Sequence, residues 1–212
     1  MNNLGQNLLA IDASLGNGSL SYWDETGEVA SRIGEPKRPL SKDLLTIIDD
    51  ICRENGKTID QIKTIAVSLG PGSYTGIRVG ISTTLGIRLA TGCKLVGVPT
   101  LNALSVLAES ALTGVALSVG GGEFIVQSFD GGTPCSGPEI VNFDILKGMS
   151  GKIVVDRKTF NVIQGLEPRE DFSSRITIAG DNVARLIGVS ARNLAVSHDL
   201  VPIYAREFGL SG

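Results

Sequence analysis

The stretch Ile-Ala-Val-Ser-Leu-Gly-Pro-Gly-Ser-Tyr-Thr-Gly-Ile-Arg-Val-Gly at positions 65–80 constrains this chain more than any other. Its first five residues are a short apolar run with the length of a buried strand. The run breaks at Gly70-Pro71-Gly72-Ser73. Helical spacing then begins at about Tyr74 and continues to Thr91, where Gly92 can close it. A buried strand feeding straight into a helix belongs to a sheet with helices packed on it, the α/β class.

The flanking sequence extends this plan. Residues 8–13, 19–23 and 28–33 read as three strands of an antiparallel meander, turned at Gly16, Gly18 and 24–27. Pro36 and Pro39 interrupt, and Ser41 is placed to cap a helix. Leu44, Leu45, Ile47, Ile48, Ile51 and Cys52 then repeat at helical spacing until Gly56. A strand is expected over 94–98 and a third helix over 102–112. The second half restarts the plan with strands over 115–119, 123–129 and 139–141, a short helix over 144–148, strands over 153–155 and 176–179, a helix over 182–187 and an extended tail over 201–206. No linker separates the halves, so two related lobes are expected, 1–112 and a smaller 113–212, with the tail returning to the first lobe.

Composition narrows the chemistry. The net charge is −3 and no Lys/Arg cluster is present, so the chain is not equipped to grip nucleic acid unaided. Cys52, Cys93 and Cys135 lie about forty residues apart, which suits neither a disulfide framework nor a zinc site. Their odd number fits a reducing cytosol. The first residues lack the basic and apolar regions of a signal peptide, and no apolar run reaches membrane-spanning length. His198 is the only histidine, too few for a His-based metal site, and reads as a surface residue. Asp49 and Asp50 point to different sides of a helix and read as solvated.

Two segments could carry function. The Gly70–Gly76 turn opens a helix after a strand, a context that can present backbone N–H groups to an anion. It is neither a Walker A loop nor G-x-G-x-x-G. The alternative is a tight turn in which Ser73 or Thr75 caps the helix. Asp12, ending the first strand beside Ser14, could orient a phosphate or a metal-bound water, or could be a solvated turn acid. The equivalent point of the second half offers Ser118 instead of an acid. The helix after the turn carries only Arg78 and Arg88 as charges over about 27 Å. Ile77, Ile81, Leu85 and Leu89 form an apolar stripe, with Gly76, Gly80 and Thr84 beside it. Helix-interior glycines cost about 1 kcal/mol each, a cost that close approach of another helix would offset. Burial of the helix within its own lobe is the alternative.

Taken together, these residues resemble a known family. Residues 9–14, Leu-Ala-Ile-Asp-Ala-Ser, are similar to the opening element of the TsaB (YeaZ) family, and 65–80 to its most specific signature. Val96-Gly97-Val98-Pro99-Thr100-Leu101 and Pro202-Ile203-Tyr204-Ala205-Arg206 resemble two further elements. The likeness is dense over 8–112 and sparse over 113–200. It implies an α/β fold of the ASKHA type (actin, sugar kinase, Hsp70), with two ribonuclease H-like lobes, the second reduced. It implies a non-catalytic scaffold subunit for making N6-threonylcarbamoyladenosine at position 37 of tRNA, bound to a TsaD-like catalytic subunit and working with a TsaE-like ATPase. The charge balance adds contact with tRNA only through the complex, the cysteines a cytoplasmic protein, and the apolar helix face a homodimer using the same surface.

Carried over, the partner-binding helices are the first two, with Leu44, Ile48, Tyr74, Gly76, Ile77, Gly80, Ile81, Thr84, Ile87 and Arg88 as contacts. A bulky residue at Gly80 is then expected to break the complex. Asp12, Ser14, Gly70, Gly72 and Ser73 correspond to a vestigial nucleotide site. No catalytic residue, metal or cofactor of its own is expected, with ATP or ADP admitted only at the interface of the complex. Leu40-Ser41-Lys42 and Ser118-Val119-Gly120 depart from the family pattern. The alternative functions are an ASKHA-type ATPase or phosphotransferase, and an inactive glycoprotease-like homologue of the M22 type.

Overall fold

A computed structural model describes residues 7–108, 112–166, 170–192, 194–197 and 199–208. The first half builds a five-stranded sheet from β1 (Leu8–Asp12), β2 (Ser19–Asp24), β3 (Gly27–Ile33), β4 (Thr64–Gly70) and β5 (Lys94–Pro99), in the order β3-β2-β1-β4-β5. The meander pairs antiparallel, and β1, β4 and β5 run parallel. The crossovers are α1 (Leu44–Glu54) and α2 (Tyr74–Thr91), with α3 (Thr100–Ser105) after β5. The second half repeats this with β6 (Leu112–Gly120), β7 (Glu123–Asp130), β8 (Thr133–Pro134), β9 (Glu139–Asn142), α4 (Phe143–Gly148), β10 (Lys152–Val155), α5 (Arg157–Leu166), α6 (Glu170–Ser173), β11 (Ile176–Ile178) and α7 (Val183–Ala191). Its sheet runs β11-β10-β6-β7-β8, with β9 also on β7. The second lobe therefore keeps the plan of the first, with shorter strands at β9, β10 and β11.

Apolar runs that look uniform in sequence are divided residue by residue, because successive strand side chains point to opposite faces. Leu9, Ile11, Ile65 and Val67 join Leu44, Ile48 and Ile51 of α1 and Ile77, Ile81 and Ile87 of α2. Leu8, Ala10, Ala66 and Val96 face the middle of the molecule. There they share one core with α3, with α7 and with Val115, Leu117 and Val154 of the second sheet. A third core lies outside the second sheet, beneath α4, α5 and α6. The helices are exchanged at the centre: α7 packs on β1, β2, β4 and β5, while α3 also reaches β6, β7 and β10. Gly188 lets α7 approach closely, since a Cβ there would meet the Trp23 indole at 2.5 Å.

Several expectations change. The third helix stops at Ser105, well short of Leu112, which already begins β6. Its last amides, Val106 and Leu107, bond only three residues back, and the Ser105 hydroxyl returns to the Asn102 carbonyl at 2.8 Å. That tightens and ends the helix. Residues 109–111 of the expected helix lie outside the described residues. Ser41 does not cap α1: residues 40–42 form a 3₁₀ turn and Asp43 takes the N-cap position. The Asp43 carboxylate accepts from Arg38 at 2.6 Å instead of capping. Helix α5 was not expected from the sequence. Asp156 supplies its start, accepting from the Thr159 amide at 2.9 Å. The tail is extended only to Tyr204, and residues 205–208 close a 3₁₀ turn. His198 lies outside the described residues.

The glycines of α2 are explained inside the lobe. A Cβ on Gly76 would stand 1.8 Å from the Ala13 carbonyl oxygen, and one on Gly80 would meet Val67 and Ala13 at 3.4 and 3.7 Å. The small-residue stripe thus seats the helix on its own sheet, not on a second polypeptide. Gly86 differs, being exposed with nothing within 4 Å of a Cβ. Gly76→Ala is expected to cost roughly 3 kcal/mol, because backbone meets backbone and no side chain can yield. Gly86→Ala is expected to stabilise the fold by about 1 kcal/mol. Urea unfolding midpoints check both signs.

Candidate functional site

The ends of β1 and β4 and the start of α2 form one clasp. Asp12 is fully buried. Its Oδ1 accepts from the Ser14 amide at 3.0 Å, the Ser14 hydroxyl at 2.8 Å and the Ser68 hydroxyl at 2.7 Å. Its Oδ2 accepts from the Leu15 amide at 3.3 Å. The Ser14 carbonyl then accepts from the Ser73 amide at 2.8 Å. Gly72 fits against Ser14, where a Cβ would approach to 2.8 Å. Ser73 is the N-cap of α2 and accepts from the Gly76 amide at 3.3 Å. The capping alternative for this turn is therefore the one adopted, by Ser73 and not by Thr75.

Between the lobes lies a cleft of about 860 Å³. Ser14, Gly72 and Ser73 line one wall, so the structure brings together three of the residues read as a nucleotide site. Asp12 and Gly70 do not line it. Asp12 is spent inside its turn, and the space a Cβ would take on Gly70 is filled by the Ile203 carbonyl oxygen, 2.3 Å away. The opposite wall comes from residues 117–119 with Asp156, Lys158 and Thr159, and residues 204–207 form the end. Lys158 and Arg206 there stand among Asp156 and Glu207. Among the described residues no group of three or more His, Cys, Asp or Glu side chains could hold a metal ion. The acid at the end of β1 does not line the cleft; the acids that do are Asp156 and Glu207. Asp156, Lys158 and Thr159 went unread in the sequence. The signal was available: a strand, then an acid three residues ahead of Thr159, which is an N-cap pattern.

The second candidate surface is the outer side of α2. Gly76, Ile77, Gly80, Ile81, Thr84 and Ile87 are buried, as are Leu44 and Ile48 of α1. They form the inner face of the two helices. Of the predicted contacts, Tyr74 faces solvent and Arg88 is half-buried. Tyr74 is 56% exposed, Leu85 41%, Leu89 90% and Leu45 of α1 57%. Ser82 and Gly86 are exposed between them. The apolar stripe of the sequence is thus split. Steps of four residues advance about 40° around a helix of 3.6 residues per turn. The stripe therefore starts in the core at Ile77 and has rotated out to solvent by Leu89. The Arg78 guanidinium lies 4.9 Å from the Tyr74 ring centroid and donates to its hydroxyl at 2.7 Å.

Burial pushes the Asp12 carboxyl above its ordinary value of 3.8, against the pull of its donors. Below that ordinary value both folded and unfolded states are protonated. Between it and the raised folded value the folded state keeps a proton that the unfolded state has lost, so this residue's contribution to stability falls as pH rises. The unfolding free energy of the wild type is expected to decline with rising pH through that window relative to Asp12→Asn. Urea titrations at a series of pH values measure the difference.

The protein family described as "TsaD: tRNA N6-adenosine threonylcarbamoyltransferase" matches residues 34–132. The "tRNA threonylcarbamoyladenosine biosynthesis protein TsaB" of Escherichia coli is 32% identical over 94 residues, 44% of this chain and 40% of that protein. The protein of the same name from Haemophilus influenzae is 37% identical over 75 residues, 35% of this chain and 30% of that one. The matches therefore span less than half the length of these curated relatives. YeaZ from Pseudomonas aeruginosa superposes with a TM-score of 0.67 at 17% identity, covering 94% of this chain and 99% of that chain. A second structure, described as an uncharacterized protein from Pseudomonas aeruginosa with similarity to peptidase YeaZ, gives 0.71 at 16% identity, with 95% and 100% covered. The fold is α/β with two sheets, as in these YeaZ structures. The chain is similar in sequence to TsaB proteins over part of its length and in fold to YeaZ over nearly all of it.

Proposed function

We propose that this chain is a non-catalytic, cytoplasmic subunit of the machinery that makes threonylcarbamoyladenosine in tRNA. In this reading it docks onto a TsaD-like catalytic subunit through the outer face of α2 and the adjoining side of α1. The observation that carries it is the exposure of Leu45, Leu85 and Leu89 on a surface whose α2 part bears few charges. Fully burying one leucine contributes about 1.5–3 kcal/mol, and an interface of ordinary size covers about 800 Å² per partner. Three exposed leucines supply an apolar centre for such a patch.

Two further points support the reading. The matched family is that of the transferase, and the curated relatives carry the biosynthesis name. Asp12 is committed to holding its turn, so the reacting groups are expected from the partner. The net charge of −3 agrees with tRNA held by the assembly, a TsaE-like ATPase included, and not by this chain alone. A homodimer through the same leucines would compete with the heterodimer.

The contacts assigned to the inner face move outward in this reading. Gly80 no longer tests the interface, because its missing Cβ makes room for Val67 and Ala13. Leu89→Glu combined with Leu85→Glu is expected to weaken binding to a TsaD-like subunit by about a hundredfold. The unfolding midpoint should stay within about 2 °C, since neither side chain is part of the core. Co-purification and calorimetric titration read the first effect and thermal denaturation the second. Undiminished binding by the double variant would place the interface elsewhere.

A further inference from the structure

We propose that the segment following α7 is a strap that holds the first turn of α2, so that its release loosens the Tyr74–Arg78 end of the docking face. The effect on docking rests on the function proposed above; the effect on α2 does not.

The segment returns to the first lobe along the free edge of β5. The Ser197 amide donates to the Leu95 carbonyl at 2.7 Å, and the Gly97 amide donates to the Ser197 hydroxyl at 3.0 Å. Leu200 then enters the core beneath α1 and α2. The Ile203 amide donates to the Leu69 carbonyl at 2.7 Å, just before the Gly70 turn. The strap thus caps an edge that would otherwise present unpaired backbone groups.

Two glycines clear its path. A Cβ on Gly97 would lie 2.8 Å from the Leu69 side chain and 3.1 Å from Leu200. One on Gly70 would lie 2.3 Å from the Ile203 carbonyl oxygen, and Gly70 has φ +97°. A side chain at either position meets the strap or the residue that seats it.

The strap ends on α2. The Tyr204 ring stacks on Tyr74 with centroids 4.9 Å apart and planes tilted by 34°. Tyr74 is the first residue of the helix, and Arg78 is one turn further on, over the same ring. Beyond Tyr204 the 3₁₀ turn packs on β9, so the strap crosses from one lobe to the other at the end of the cleft. Its hold is light. Val201 is 67% exposed, Arg206 and Glu207 face solvent, and Leu200 is the one side chain of 199–207 that is fully in the core. A segment with few buried contacts opens locally without unfolding the sheets it lies on.

Hydrogen exchange on the full chain tests this with Ile203→Pro, which removes the amide bonded to Leu69, with Tyr204→Ala, which removes the ring, and with Tyr204→Phe, which keeps it. The first two are expected to raise exchange at least tenfold in peptides covering 199–207 and 73–80, with β1 and α7 unchanged. Tyr204→Phe should behave as the wild type. Faster exchange in 199–207 with 73–80 unchanged overturns the proposal. Protection of 199–207 in both disruptive variants overturns it too, since the anchors named here would then not hold the strap. Loss of protection throughout β1 and α7 also counts against it, because the segment would then be part of the global fold. In a second arm, Tyr204→Ala is expected to bind a TsaD-like subunit at least tenfold more weakly, and Tyr204→Phe normally. Wild type that fails to bind would sink the docking function and leave the exchange result standing.

Discussion

The rest of the structure depends on how closely α2 can approach the end of β1. Its first helical turn lies against the Ala13 carbonyl, at a distance that only glycine at position 76 allows. The Ser73 amide fixes the approach by donating to Ser14, and Asp12 fixes Ser14 in turn. One buried carboxylate therefore sets the geometry of two loops and a helix. The donors around it pull toward the charged form and offset part of the cost of burying it, and burial still dominates. Movement of this contact would displace the wall of the cleft and the outer face of α2 together.

Much of the first lobe could be read from residue pattern. The meander, the strand at 64–70 and the whole of α2 were legible because apolar runs there are bounded by glycine and proline. The Gly70–Ser73 signature was legible as a turn, but its purpose was not. The glycines at 70, 72 and 76 admit Ile203, Ser14 and Ala13, which are neighbours in space and 58 to 133 positions away in sequence, as Gly72 to Ser14 and Gly70 to Ile203 illustrate. The second lobe was harder because β8 to β11 are only two to four residues long. Helix α5 was missed although Asp156 announces it.

The apolar row on α2 runs from the core to solvent. Spacing by four residues gives an apolar row, and Ile77 and Ile81 do reach the core. The row does not follow the helix axis, so its distant end leaves the protein. Sequence periodicity identified the helix, but the rotation of the row decided which leucines were spare. The same arithmetic explains why glycines at 76 and 80 serve internal packing while Gly86 serves no contact within the chain.

The exchange of α3 and α7 across the centre has a consequence for how such a molecule can be divided. Each half carries a sheet, yet the helix covering the inner side of one is encoded at the close of the other. Severed near the midpoint, both fragments would bare a broad oily surface and would need each other to become soluble.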